Sequence, residues 1–168
     1  VDGVEITNGS SFYPDIVGRC VERKLYMVSA TDIHAATSNV YGKQKFFRNM
    51  TLIFAKDKSE KSLRKALLSQ KTLGYCGGHI IDELSLLTKF FQASVTAQYI
   101  AHVKKGVKIA LKNNTSFDYT LKYDGREIAL PAFQTINTII KDEKAVFTVE
   151  NMIHVDYQHP TIELKLNK

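Results

Sequence analysis

From Val107 onward, apolar and polar residues alternate with a period of two. Val107, Ile109 and Leu111 alternate with Lys108 and Ala110, and Phe117, Tyr119, Leu121 and Tyr123 alternate with Asp118, Thr120 and Lys122. Alternation of this kind marks strands with one buried face. Asn113 and Asn114 supply turn chemistry between the two runs, and Asp124-Gly125 is a two-residue hairpin signal ahead of Ile128 and Leu130. Past Pro131, residues 135–140 and 145–150 flank the polar turn KDEK, and 152–157 and 161–166 follow as further short runs. Residues 107–166 therefore predict an antiparallel β-meander.

The stretch before it, residues 74–106, carries a different pattern. Between Gly78 and Gly106 there is no Pro or internal Gly, Asp82 and Glu83 stand near the start, and Lys104 and Lys105 stand near the end. That charge order suits a helix macrodipole, with Gly106 as a left-handed cap. The spacing predicts one long helix, apolar on more than a single stripe and so buried on two sides. Its charged and polar edge (Asp82, Glu83, Lys89, Gln92, Gln98) argues against a membrane span.

Upstream, Asp57 and Glu60 fit a capping box for an amphipathic helix over 59–70. Leu63, Ala66 and Leu67 lie on its inner face, and Lys58, Lys61, Arg64, Lys65 and Lys71 on its outer face. The basic face is either solvated or a phosphate or lipid-headgroup site, and Glu60 and the lack of interleaved aromatics favour solvation. Residues 50–55 (MTLIFA) predict a strand, preceded by the aromatic pair Phe46 and Phe47, and another strand is expected within 19–29. Residues 31–42, polar and rich in turn formers, read as a loop or a short helical turn anchored by Ile33, Val40 and Tyr41. Residues 1–18 read as an irregular arm. The class is α+β: one domain over 1–168, with a helical middle at 57–105 and an antiparallel sheet around the long buried helix.

Composition narrows the function less than the fold. With 168 residues, 44% of them hydrophobic, there is enough chain for one sizeable core. The net charge of +6 permits a nucleic-acid or anionic-surface partner without requiring one. Sequons at Asn8, Asn49, Asn113 and Asn114 point towards an extracytoplasmic, secreted or periplasmic glycoprotein. In such a compartment Cys20 and Cys76 would be bridged, closing a loop of about 55 residues and adding about 2–4 kcal/mol. The five histidines lack metal-ligand spacing except for His154 and His159, so neither a metal nor a cofactor is expected.

Reaction chemistry is suggested at one place. A thiol at the positive end of a buried helix is acidified, and Cys76 would stand there. Gln70 would be its oxyanion donor, His154 its base, and Asp156 or Asn151 the residue orienting that base. The segments QKTLGYC (70–76) and IHVD (153–156) resemble papain-like cysteine peptidases, and the resemblance implies a cysteine hydrolase using Cys76, His154, Gln70 and Asp156. The glycine pair followed by His79, opening a long helix wrapped by a sheet, is similar to hot-dog fold thioesterases. Against these stands the absence of a dense catalytic signature, and the leading expectation is a non-enzymatic binding or assembly module. It would meet a protein partner through a sheet face or edge, with Tyr119 and Tyr123 as interface candidates.

Overall fold

The computed structural model describes residues 1–44 and 47–168, so Phe46 lies outside the described residues. The fold is α+β. The chain divides into two compact units. One comprises Val1–Leu87 with Ile153–Gln158, the other Thr88–Met152 with His159–Lys168.

The first unit begins with strand β1 (Gly3–Asn8), the short β2 (Ser11–Phe12), helix α1 (Pro14–Arg23) and strand β3 (Tyr26–Ala30). The chain continues through α2 (Thr37–Tyr41), β4 (Met50–Ile53), α3 (Glu60–Leu68), β5 (Thr72–Cys76) and β6 (His79–Ile81). β1 and β3 pair in parallel, from Gly3↔Tyr26 to Asn8↔Ala30, with α1 as the crossover between them. The irregular arm expected over 1–18 is thus a strand and most of a helix. Pro14 sits at the first helical turn, where its missing N–H costs nothing, and Val17 and Cys20 face inward. The helix closes at Lys24 in the left-handed region, so the strand expected within 19–29 starts only at Tyr26. Ile6, Val17, Cys20, Met27, Ile81 and Ile153 form this unit's core.

α3 lies where its periodicity places it, although its N-cap is Ser59, whose hydroxyl accepts from the Ser62 amide. Asp57 instead accepts from the Ser59 amide and hydroxyl.

Helix α4 covers only Leu84–Ser94 of the long helix expected over 78–106. At its front, Gly77 (φ 56) and Gly78 (φ 88) form the two-residue turn joining β5 to β6, with Cys76 opposite His79. Left-handed conformations at both turn positions are what a tight hairpin requires and glycine supplies. At its back, Val95–Val103 is strand β7 and Lys104-Lys105 is a turn into β8 (Gly106–Asn113). Val95 and Ala97 face inward while Thr96 and Gln98 face outward, a period-2 stretch concealed within a long apolar segment. Gly106 is needed for close approach: a Cβ there would fall 2.0 Å from the Ile140 carbonyl oxygen.

The second unit holds β7 and β8, then β9 (Tyr119–Tyr123), β10 (Arg126–Leu130), β11 (Thr135–Ile140) and β12 (Ala145–Val149). The chain then returns to the first unit through β13 (Met152–Ile153) and a 3₁₀ turn at Val155–Tyr157, and the second unit ends with β14 (Thr161–Leu164) and β15 (Leu166–Asn167). Two four-stranded sheets result, ordered β10-β9-β12-β14 and β11-β8-β7-β15. The expected meander is thus split between two sheets, and β15 joins β7 in parallel. Their inward residues, among them Ile109, Leu111, Leu121, Phe147 and Ile162, supply a core of their own. Phe91 from α4 is fully buried and meets Tyr119 edge-on, with ring centroids 5.2 Å apart. The fully buried Asn113 donates to the carbonyls of Phe117, Leu130 and Pro131, which ties down the loop that follows β8.

Candidate functional site

Parallel strands direct their carboxyl ends, and the loops that follow, to one side of a sheet, where ligand crevices form in open α/β arrangements. In the first unit the loops after β1 (Gly9-Ser10) and β3 (Thr31–Ala35) line a cavity of about 540 Å³. Tyr41 at the end of α2, Asn49 before β4 and Cys76-Gly77 at the end of β5 complete its wall. Asp32, with φ 45, and His34 both line the cavity from the exposed β3 loop.

Beneath the cavity lies a set of buried polar groups. Asn49, 5% exposed, donates its amide to the carbonyls of Gly9 (2.5 Å) and Ala30 (3.1 Å), joining the ends of β1 and β3. The Thr7 and Ser29 hydroxyls are hydrogen-bonded to each other, and Ser29 donates to the Tyr75 carbonyl at 2.9 Å. Thr51 accepts from the Ser29 amide and donates to its carbonyl, while Thr72 donates to the Met27 carbonyl. These bonds satisfy groups whose burial would otherwise cost free energy, and they fix the loops carrying Asp32 and His34 relative to Cys76.

Of the residues expected from the sequence, Cys76 alone faces this cavity. It closes a strand instead of opening a helix, so the acidifying helix end is absent. Burial pushes its thiol up, against hydrogen bonds from Asn49 and Thr7 that favour the thiolate. Cys20 is raised by burial and by the nearby Asp82 carboxylate, and both cysteines are free thiols. Gln70, in the left-handed region after α3, donates its side-chain amide to the Lys24 carbonyl at 2.6 Å. The His154 amide donates to the Gln158 carbonyl in a β-bridge, and Asp156 stands exposed in the 3₁₀ turn with φ 58. None of these three lines the cavity.

Tyr119, 1% exposed, is core and cannot present an interface, because strand alternation directs it inward. The half-buried Tyr123 accepts from the Lys141 amide at 2.6 Å. Asn49 and Asn113 carry their sequons on buried, hydrogen-bonded side chains and offer no glycosylation acceptor in the folded state. Among the described residues no helix is long and apolar enough to cross a membrane.

Asp32, His34 and Asn49 are the site residues that sequence reasoning missed. The available signal was an Asp and a His two positions apart just after an apolar strand; what was lacking was the parallel pairing that gives that position its meaning. Among the described residues no group of three or more His, Cys, Asp or Glu could hold a metal ion. Asp32 and His34 are ligand-type side chains, but the pair does not make a complete metal site.

No family model matches the chain, and no curated protein does. Among solved structures, a two-domain protein from Bacteroides vulgatus, containing a predicted PHP-like metal-dependent phosphoesterase, is similar with a TM-score of 0.86 and 26% sequence identity. The similarity covers 98% of this chain and 53% of that one, so this chain spans about half the length of that protein.

Proposed function

We propose that the first unit supplies one wall of a phosphoester-processing site, with Asp32 and His34 as its chemical groups. The observation that carries this reading is the cavity at the carboxyl ends of β1 and β3, into which a carboxylate and an imidazole open from a single loop. The similarity to a protein containing a predicted metal-dependent phosphoesterase supports it. Asp32 and His34 are two donors, so a metal acting here would complete its shell with water, substrate oxygens or further groups. What this chain contributes is placement: Asn49 fixes the two loop ends, and the hydroxyls of Thr7 and Ser29 join β1 and β3 to β5.

The test is hydrolysis of p-nitrophenyl phosphate in the presence of Mn²⁺, by the protein carrying this chain in its natural polypeptide. Asp32→Asn and His34→Gln are each expected to lower kcat/KM at least about 100-fold, the scale of losing a positioned catalytic group, without changing the melting temperature. Full activity in both variants would remove the reading.

The second unit retains the reading of a protein-binding module working through a sheet face or edge. Phe133, 66% exposed between β10 and β11, favours this, as an aromatic anchor left in solvent. Phe133→Ser should weaken a partner's binding without loss of stability; unchanged affinity for every partner the wild-type chain binds would count against it.

A further inference from the structure

A second, smaller cavity in the first unit lies away from Asp32 and His34, where β4 runs out beside α3. Its volume is about 140 Å³, and Lys56, Lys65 and Lys71 line it together with the Ser62 and Ser69 hydroxyls and Phe54. The three lysines come from three segments: the exit of β4, the last turn of α3 and the entry to β5. Helical spacing puts Ser62, Lys65 and Ser69 on one face of α3. The Phe54 amide donates to the Lys71 carbonyl at 2.9 Å, which holds the two strand segments together and brings Lys56 and Lys71 to the same rim.

Capping α3 does not account for this gathering. The carbonyls at its end already accept from the backbone amides of Ser69, Gln70 and Lys71. Asp57, the acidic residue closest in sequence to Lys56, is held by Ser59 and Ser62 rather than by a lysine of the cavity. Lysine ammonium groups bind phosphate as point charges, and three of them line this one concavity.

We propose that this cavity binds a phosphate group, with Lys56, Lys65 and Lys71 neutralising it and the Ser69 hydroxyl adding a hydrogen bond. Its size admits one phosphoryl group and little more, so the ligand is inorganic phosphate or the phosphate end of a monoester. The proposal stands independently of the reading given to Asp32 and His34.

The experiment is an amide chemical-shift titration of the 168-residue chain with sodium phosphate, and separately with phenyl phosphate, at constant ionic strength. Saturable shifts are expected at Lys65, Ser69 and Lys71. Lys56→Gln/Lys65→Gln/Lys71→Gln should weaken binding at least tenfold, whereas Lys61→Gln/Arg64→Gln, on the same helix but outside the cavity, should leave it unchanged. Equal affinity for the two ligands identifies the phosphoryl group alone as what is recognised; tighter binding of phenyl phosphate adds Phe54 to the site and an organic monoester as the source. Shifts that never saturate, or an equal loss with Lys61→Gln/Arg64→Gln, would show only a diffuse basic surface and overturn the proposal. If the triple variant does not fold, Lys71→Gln alone decides the same question.

Discussion

The two units differ in what they bury. In the second, the inward positions are apolar almost throughout, with Ser94 and Asn113 as the buried polar residues. In the first, Thr7, Ser29, Asn49, Thr72 and Asp82 are all buried. Each such group needs partners to offset its desolvation, and four of them bond backbone or hydroxyl groups around the ends of β1, β3 and β5. The Thr7, Ser29 and Asn49 members lie at the ends of β1 and β3 beside the larger cavity and hold its loops in place. The second unit follows the ordinary rule of alternation.

The largest effect expected from this contrast is in the apolar unit. Phe91→Ala removes a fully buried ring packed edge-on against Tyr119 and should cost about 3–5 kcal/mol in denaturant unfolding, and Phe90→Ala, half-buried, should cost less. Equal effects would mean that α4 is not seated through Phe91.

Next comes Asp82, whose carboxyl is pushed up to about 8, first by burial and then by the neighbouring Glu83 carboxylate, against a hydrogen bond from the Glu83 amide. Among the described residues the charged group that acts on it is Glu83, and it in turn raises the Cys20 thiol. A carboxyl that holds its proton more tightly when folded stabilises fully below its unfolded value near 4, and that stability is lost as pH rises towards 8. Wild-type stability should therefore fall across pH 4–8 by up to about 1.4 kcal/mol per unit. Asp82→Asn should flatten that slope and be the more stable protein at pH 8. Parallel pH profiles of the two proteins would refute the assignment.

Asn49→Ala strips the amide from two carbonyls and should cost about 1–3 kcal/mol. The same substitution removes a bond favouring the Cys76 thiolate, so iodoacetamide alkylation of that thiol should shift to higher pH. A midpoint that stays in place would detach Cys76 from the polar set. The smallest effect belongs to the second unit's surface: Tyr123→Phe, losing a single bond from the Lys141 amide, should cost about 1 kcal/mol or less in a thermal melt.

Elements whose partners are close in sequence were legible before the structure. The Asp124-Gly125 hairpin, the alternation in β8, β9, β11 and β12, and the amphipathic α3 all follow from local period and turn chemistry, and all appear where that pattern puts them. Residues 78–106 defeated the same reasoning. An apolar run with Gly-Gly before it and Lys-Lys-Gly after it suits either a helix with charged ends or a hairpin, a short helix and another hairpin. The choice fell to partners the run does not contain: β5 beside β6, and β8 and β15 on either side of β7.

The candidate site is still less local. Asp32 and His34 gain their setting only once β3 lies parallel to β1 and Asn49 joins the two ends. Residue types and periods therefore determined the α+β class and the strands with near neighbours. Tertiary structure decided which loops meet, because parallel pairing and hydrogen bonds join residues 22 to 46 positions apart and leave no period in the sequence between them.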